Sequence, residues 1–142
     1  MNRGHPSSNR SVSLPRRLAA ILYDALLLAT LLFFASFVVV IPLKLHPEHH
    51  LFIAYQGYLF TLSFLFFAWS WTHGGQTLGM KAWKFRVTCL DGSGISWKSA
   101  FVRFVVAVVS WVPCGLGYIW AVFDPENRTW HDRASGTRLT RT

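Results

Sequence analysis

The stretch from Leu18 to Leu43, LAAILYDALLLATLLFFASFVVVIPL, carries a single charged side chain, Asp24. As an α-helix it is about 39 Å long, against ~30 Å for the hydrocarbon of a bilayer, so it reads as a membrane-crossing helix over residues 18–42. Arg16 and Arg17 precede it and Pro42 ends it. A carboxylate at bilayer depth costs roughly 2.5–3.5 kcal/mol, so Asp24 requires either a partner or a task.

Working outward, a short loop holding Lys44, His46, Glu48, His49 and His50 leads to a second uncharged run, residues 51–72. Gln56, Ser63 and Ser70 recur there at intervals of seven, nearly two helical turns, and so form one polar stripe on a Leu/Phe helix. Such a stripe is expected to face protein rather than lipid. A third apolar segment, residues 100–123, is interrupted by Pro113-Cys114-Gly115-Leu116-Gly117. It either spans once or turns back at the break. The second reading is favoured, because it keeps the arginines that follow on the same side as the other basic residues. Between the second and third runs, Thr77 is placed to cap a short amphipathic turn. Phe85, Val87 and Cys89 alternate with Arg86 and Thr88 before Asp91-Gly92-Ser93-Gly94, which predicts a small cytoplasmic β-hairpin closing on Ile95-Ser96-Trp97. Residues 77–97 hold this turn and hairpin, and 124–142 form a polar C-terminal cap. The expected fold is thus an all-α membrane protein with two transmembrane helices, a broken third segment and one small hairpin. It makes a single domain over 16–140 after a disordered tail, 1–15.

The chain is 52% hydrophobic and 14% charged, below the ~25% charged fraction of ordinary soluble domains. Its net charge of +8 is banded: basic residues flank the apolar runs, and only Lys44 lies between the first two. That is the pattern of a multi-pass membrane protein with its N-terminus, and by the turn-back reading its C-terminus, in the cytoplasm. It also argues against nucleic acid as a partner, since no solvated basic face is left. Cys89 and Cys114 have no metal-ligand spacing and both fall on the cytoplasmic side, where no disulfide is expected. The His/Glu loop lacks a fixed fourth ligand, so neither a metal nor another cofactor is expected. No nucleophile elbow, phosphate loop or paired-carboxylate arrangement is visible, and an enzyme is not expected.

Arg17 and Asp24 are seven apart, on one helix face but about 10 Å apart along it, so each needs a partner from elsewhere. Arg103 enters the third segment from the same side as Asp24 enters the first, and an Asp24–Arg103 intramembrane salt bridge is the expected pair. Among the tail residues, His131-Asp132 reads as a cap or a proton relay, since a carboxylate orients a neighbouring imidazole.

Arg17, Asp24, the run Gly75-Gln76-Thr77-Leu78-Gly79 and the closing His131-Asp132-Arg133-Ala134-Ser135-Gly136-Thr137 together resemble the RDD family of small membrane proteins. The resemblance covers residues 14–140. The family is named for one arginine and two aspartates, which by position fall on Arg17, Asp24 and Asp132. Here Met80 intervenes before Lys81, where many relatives place a basic residue, and no role is carried onto that position. The resemblance implies a bacterial inner-membrane protein; some relatives are associated with sodium/proton exchange and others serve as membrane modules.

Two functions follow as expectations. The first is a structural or interaction module, built on the charged pair and able to meet a membrane partner or a second copy through the Ala25/Ala29 step. The second is an oligomeric antiporter of a monovalent cation and protons, with Asp24 as exchange site and Gln56, Ser63 and Ser70 as neutral oxygen donors.

Overall fold

A computed structural model describes residues 12–142, so the expected disorder of residues 1–11 lies outside the described chain. Residues 12–15, assigned to that tail, instead belong to the fold: Val12 is buried and helix α1 starts at Leu14, with Pro15 in its first turn. α1 runs Leu14–Leu43 and ends where Lys44 takes a left-handed conformation. α2 runs Phe52–Thr72. Both helices are long and apolar enough to cross a membrane. Their surfaces suit one: Leu26, Phe34, Val38 and Ile53 are between 64% and 79% exposed. At 1.5 Å per residue α1 is about 45 Å long and α2 about 31 Å, so α1 overshoots its partner.

The two helices pack as an antiparallel pair. Tyr55 donates its hydroxyl to Ser36 Oγ at 2.7 Å. Counting from that contact, Asp24 lies about 18 Å back along α1 and Thr72 about 25 Å forward along α2. Asp24 therefore stands beside the last turns of α2, at the end of the paired region rather than in its middle.

After α2 the chain folds back under the pair. α3 (Leu78–Ala82) packs on α1 and is capped by Thr77, whose hydroxyl accepts from the Met80 amide at 3.2 Å. β1 (Phe85–Cys89) follows, and α4 (Trp97–Val109) packs on α2. Aromatic pairs set the direction of α4: His73 lies near Trp97, Phe64 near Phe101 and Phe60 near Phe104, with ring centroids 6.3, 5.7 and 5.3 Å apart. α4 thus runs antiparallel to α2 and in the same direction as α1. Ala68 and Ala100 are fully buried in the cluster with Trp71, Val87, Ile95 and Phe104, small residues that allow close helix approach.

The expected hairpin is not formed. Its turn is present, with Ser93 N donating to Asp91 Oδ1 at 2.9 Å. Ser96, however, caps α4 by accepting from Ser99 N, which removes residues 95–97 from any strand. β1 pairs instead with β2 (Thr137–Arg141), antiparallel, with Val87 opposite Leu139 and Cys89 opposite Thr137. Phe85 and Val87 put the inner face of this ribbon into the core.

The third apolar segment is two helices, α4 and α5 (Leu116–Phe123), about 20 Å and 12 Å long. Left-handed residues at Cys114 (φ 55°) and Gly115 (φ 77°) separate them. Gly117 permits the close return that follows: a Cβ there would meet the side chain of Ser110 and lie 3.0 Å from the Trp130 ring. α6 (Trp130–Ala134) then packs against α4, and β2 closes the chain beside β1.

Candidate functional site

Two polar knots hold the end of the bundle at which α1 begins and α2 ends. In the first, Asp24 is buried and meets α3. Its Oδ1 accepts from the Gly79 amide at 2.8 Å, and its Oδ2 accepts a short hydrogen bond from the Thr77 hydroxyl. Gly79 sits in the first turn of α3, where amides lack intrahelical partners, so the carboxylate satisfies a donor that the helix itself leaves open. The run Gly75–Gly79 reads as the fitting for this contact. Gly75 has φ 69° and lies where a Cβ would be 2.6 Å from the Val87 carbonyl oxygen. Gln76 donates to the Phe85 carbonyl at 2.8 Å, and Thr77 both caps α3 and binds Asp24. Gly79 lets α3 approach α1; a Cβ there would run into the Ala20 carbonyl oxygen.

The second knot joins α4, α6 and β2. Arg103 forms a buried salt bridge with Asp132 and donates to Thr137 Oγ1 at 3.0 Å. Its guanidinium lies 5.0 Å from the centre of a Trp71 ring. The other oxygen of Asp132 accepts from the Thr129 amide at 3.1 Å, completing a capping box for α6. Burial alone would raise the Asp132 pKa. The Arg103 guanidinium, the His131 ring and the hydrogen bonds from Arg103 and Thr129 outweigh it and hold the group well below the usual carboxylate range.

The expected Asp24–Arg103 pair is therefore absent: the acid is taken by α3 and the arginine by α6. The physical reason is that α3 brings a hydroxyl and an amide to Asp24 directly. Asp132 meanwhile lies on the helix that packs against α4, within reach of Arg103.

The remaining expected residues divide. Arg17 is buried near both knots and donates through Nε to the Val12 carbonyl at 3.0 Å. His131 is buried as well, and its Nε2 lies 2.9 Å from Thr129 Oγ1. Burial, reinforced by the adjacent Arg103, lowers its pKa from the ordinary 6.5 to about 3, so the ring is neutral at pH 7. A His131–Asp132 relay is not assembled, since the nearest approach is 3.9 Å and both carboxylate oxygens are engaged elsewhere. His131, Asp132 and Thr137 are interior rather than a surface cap, whereas Arg133 is half-exposed and pairs with Asp124 at 3.1 Å. Gln56 is exposed, and Ser63 and Ser70 donate to carbonyls of their own helix, Leu59 and Phe66. The stripe is not directed at Asp24. Thr77 and Gly79 are the site residues that sequence reasoning missed, although a capping threonine followed by a glycine was a visible signal.

Between α1 and α4 lies a cavity of about 270 Å³, partly open to the outside. Arg17, Asp24, Trp71, Arg103 and His131 all contribute to its wall, which is otherwise mainly apolar. Among the described residues, no group of three His, Cys, Asp or Glu side chains is placed to hold a metal.

Comparison with the curated proteins and with the solved structures found no match. The family model described as RDD family matches residues 12–136, a stretch that begins before α1 and ends between α6 and β2. Arg17, Asp24 and Asp132, the arginine and aspartates singled out in the sequence, are all buried around the two knots. With that match over most of its length and two apolar helices able to cross a bilayer, this chain is a membrane protein belonging to the RDD family.

Proposed function

We propose that the chain acts as a non-enzymatic structural or interaction module of the bacterial inner membrane, with both termini on the cytoplasmic side. One observation carries the reading: both oxygens of Asp24 accept hydrogen bonds from α3, so the acid ties two elements together. An exchange site needs a carboxylate that can release such bonds each cycle. Arg103 and Asp132 are likewise committed to joining α4, α6 and β2.

The orientation is supported by the β1–β2 pairing, which brings the basic residues after α2 and those after α5 to one end of the molecule. On that orientation α4 and α5 enter the same leaflet and leave it again as a re-entrant hairpin, since neither is long enough to cross alone. Ala25 and Ala29 are exposed on α1 and offer a place for close approach by a second helix, from a partner or another copy.

The test is proton-coupled sodium flux in vesicles holding the purified chain. The module reading expects no flux above empty vesicles, from either the wild type or Asp24→Asn. Flux from the wild type that disappears in a folded Asp24→Asn variant would replace it with the antiporter. A C-terminal tag reaching the outer compartment would overturn the orientation.

A further inference from the structure

We propose that the cleft between α1 and α4 binds one anionic phospholipid from the surrounding bilayer, with its phosphate at Arg17 and Arg103 and an acyl chain along Leu28 and Val108. This goes beyond the module reading and stands whether or not ions move.

The cleft has the polarity of such a lipid. α1 and α4 run in the same direction, and each wall carries an arginine at its end beside the polar knots; beyond Arg17 the α1 wall is apolar except for Asp24, whose two oxygens are taken by Gly79 and Thr77. On α1 the wall extends from Arg17 to Leu28, about 16 Å of helix; on α4 it extends from Arg103 through Ala107 to Val108, about 8 Å, with Trp111 beyond the helix end. The basic ends lie beside the polar knots, and the apolar ends lie toward the paired region of α1 and α2. A lipid entering from the side would meet its charge and its chain in the right order.

The donors around the cleft are also incompletely used. Arg17 Nη1, Trp71 Nε1, Arg103 Nε and His131 Nδ1 are buried without a hydrogen-bond partner among the described residues. All four belong to residues that line this cavity. Thr129 Oγ1 accepts from the Asp132 amide, so its own proton can go to His131 Nε2, leaving Nδ1–H as a donor. Buried donors left open in this way are rare in folded proteins, and four around one cavity point to an acceptor-rich guest. A phosphate supplies only acceptors and suits arginine geometry.

Charge agrees. Asp132 pairs with Arg103, and Asp24, on the same cavity wall, gives its oxygens to Thr77 and Gly79 rather than to either arginine. Arg17 has no salt-bridge partner among the described residues, and residues 1–11 contain no Asp or Glu to provide one. The volume, about 270 Å³, falls just below that of small-molecule sites (~300–1,000 Å³), enough for a phosphate and the first part of a chain whose remainder stays in the bilayer.

The experiment uses the full chain, purified in mild detergent, stripped of lipid and titrated separately with phosphatidylglycerol, phosphatidylcholine and inorganic phosphate. Native mass spectrometry reads retained lipid and oligomeric state, and a melting curve reads stabilisation. The expected result is one phosphatidylglycerol per chain with a raised melting temperature, at least tenfold weaker retention of phosphatidylcholine, and no comparable shift from phosphate alone. Arg17→Gln should weaken phosphatidylglycerol retention at least tenfold, and Ala107→Phe should do so by filling the apolar half. The second variant serves if the first fails to fold. Equal retention of the two lipids, or full retention by either folded variant, overturns the proposal. So does stabilisation by phosphate alone, which would mark a free-anion site, or a lipid-free dimer that covers the cleft.

Discussion

Replacing Asp132 by Asn isolates the ion pair at the centre of the second knot. The amide is nearly isosteric and keeps one oxygen to accept from the Thr129 amide, so the capping box of α6 survives. What disappears is the charge facing Arg103, which is 2% exposed and retains only Thr137 Oγ1 and the Trp71 ring as partners. Stranding a buried charge costs about 3–5 kcal/mol. Unfolding of the purified protein by titrated denaturing detergent, followed by circular dichroism, measures that loss. The companion variants are Arg103→Met and the double substitution. Removing both charges should recover much of the loss, giving a coupling energy of at least ~1 kcal/mol. The same cycle between Asp24→Asn and Arg103→Met should be additive within about 0.5 kcal/mol, because the two share no partner. An Asp132→Asn variant within ~1 kcal/mol of wild type, or strong coupling between Asp24 and Arg103, would refute this assignment of partners.

Gly79→Ala should destabilise by about 1–3 kcal/mol in the same unfolding assay, since its Cβ would meet the Ala20 carbonyl oxygen and lie 2.9 Å from Asp24 Oδ2; an unchanged midpoint would mean that α3 does not press on α1. His131 has a folded pKa of about 3, below its unfolded 6.5, so protonation favours the unfolded chain. Its contribution is complete above pH 6.5 and is lost at about 1.4 kcal/mol per pH unit as the pH falls toward 3. His131→Gln should flatten the melting temperature across pH 4–6.5, and a slope equal to the wild type's would remove His131 as its source.

The two long helices were legible because apolar length is a property of each segment alone. Asp24 was correctly marked as needing a partner, but the partner could not be read from the chain. Arg103 looked suitable by depth, while the choice depended on α3 turning back beneath α2 to present Thr77 and Gly79. The hairpin failed for a related reason. The Asp91–Gly94 turn was read rightly, yet Ser96 served as a helix cap, and β1 took its partner from residues 137–141, about fifty positions away. The alternation Thr137-Arg138-Leu139-Thr140-Arg141 after a left-handed Gly136 was the available signal. Its charge made it look like a tail. The serine stripe on α2 misled because hydroxyls at helical spacing can be satisfied by the carbonyl four residues back, which periodicity does not reveal.

The late position of Asp132 and Thr137 has a consequence for synthesis. Arg103 is made 29 residues before Asp132 and 34 before Thr137, and until both follow it out of the ribosome it lacks an acceptor. At ~5–20 residues per second that delay is a few seconds. During it, the nascent chain carries an unneutralised cation and the bare edge of β1, a surface that chaperones and membrane proteases can recognise. Premature termination anywhere before Asp132 makes that interval permanent, so truncated products should be degraded rather than accumulate.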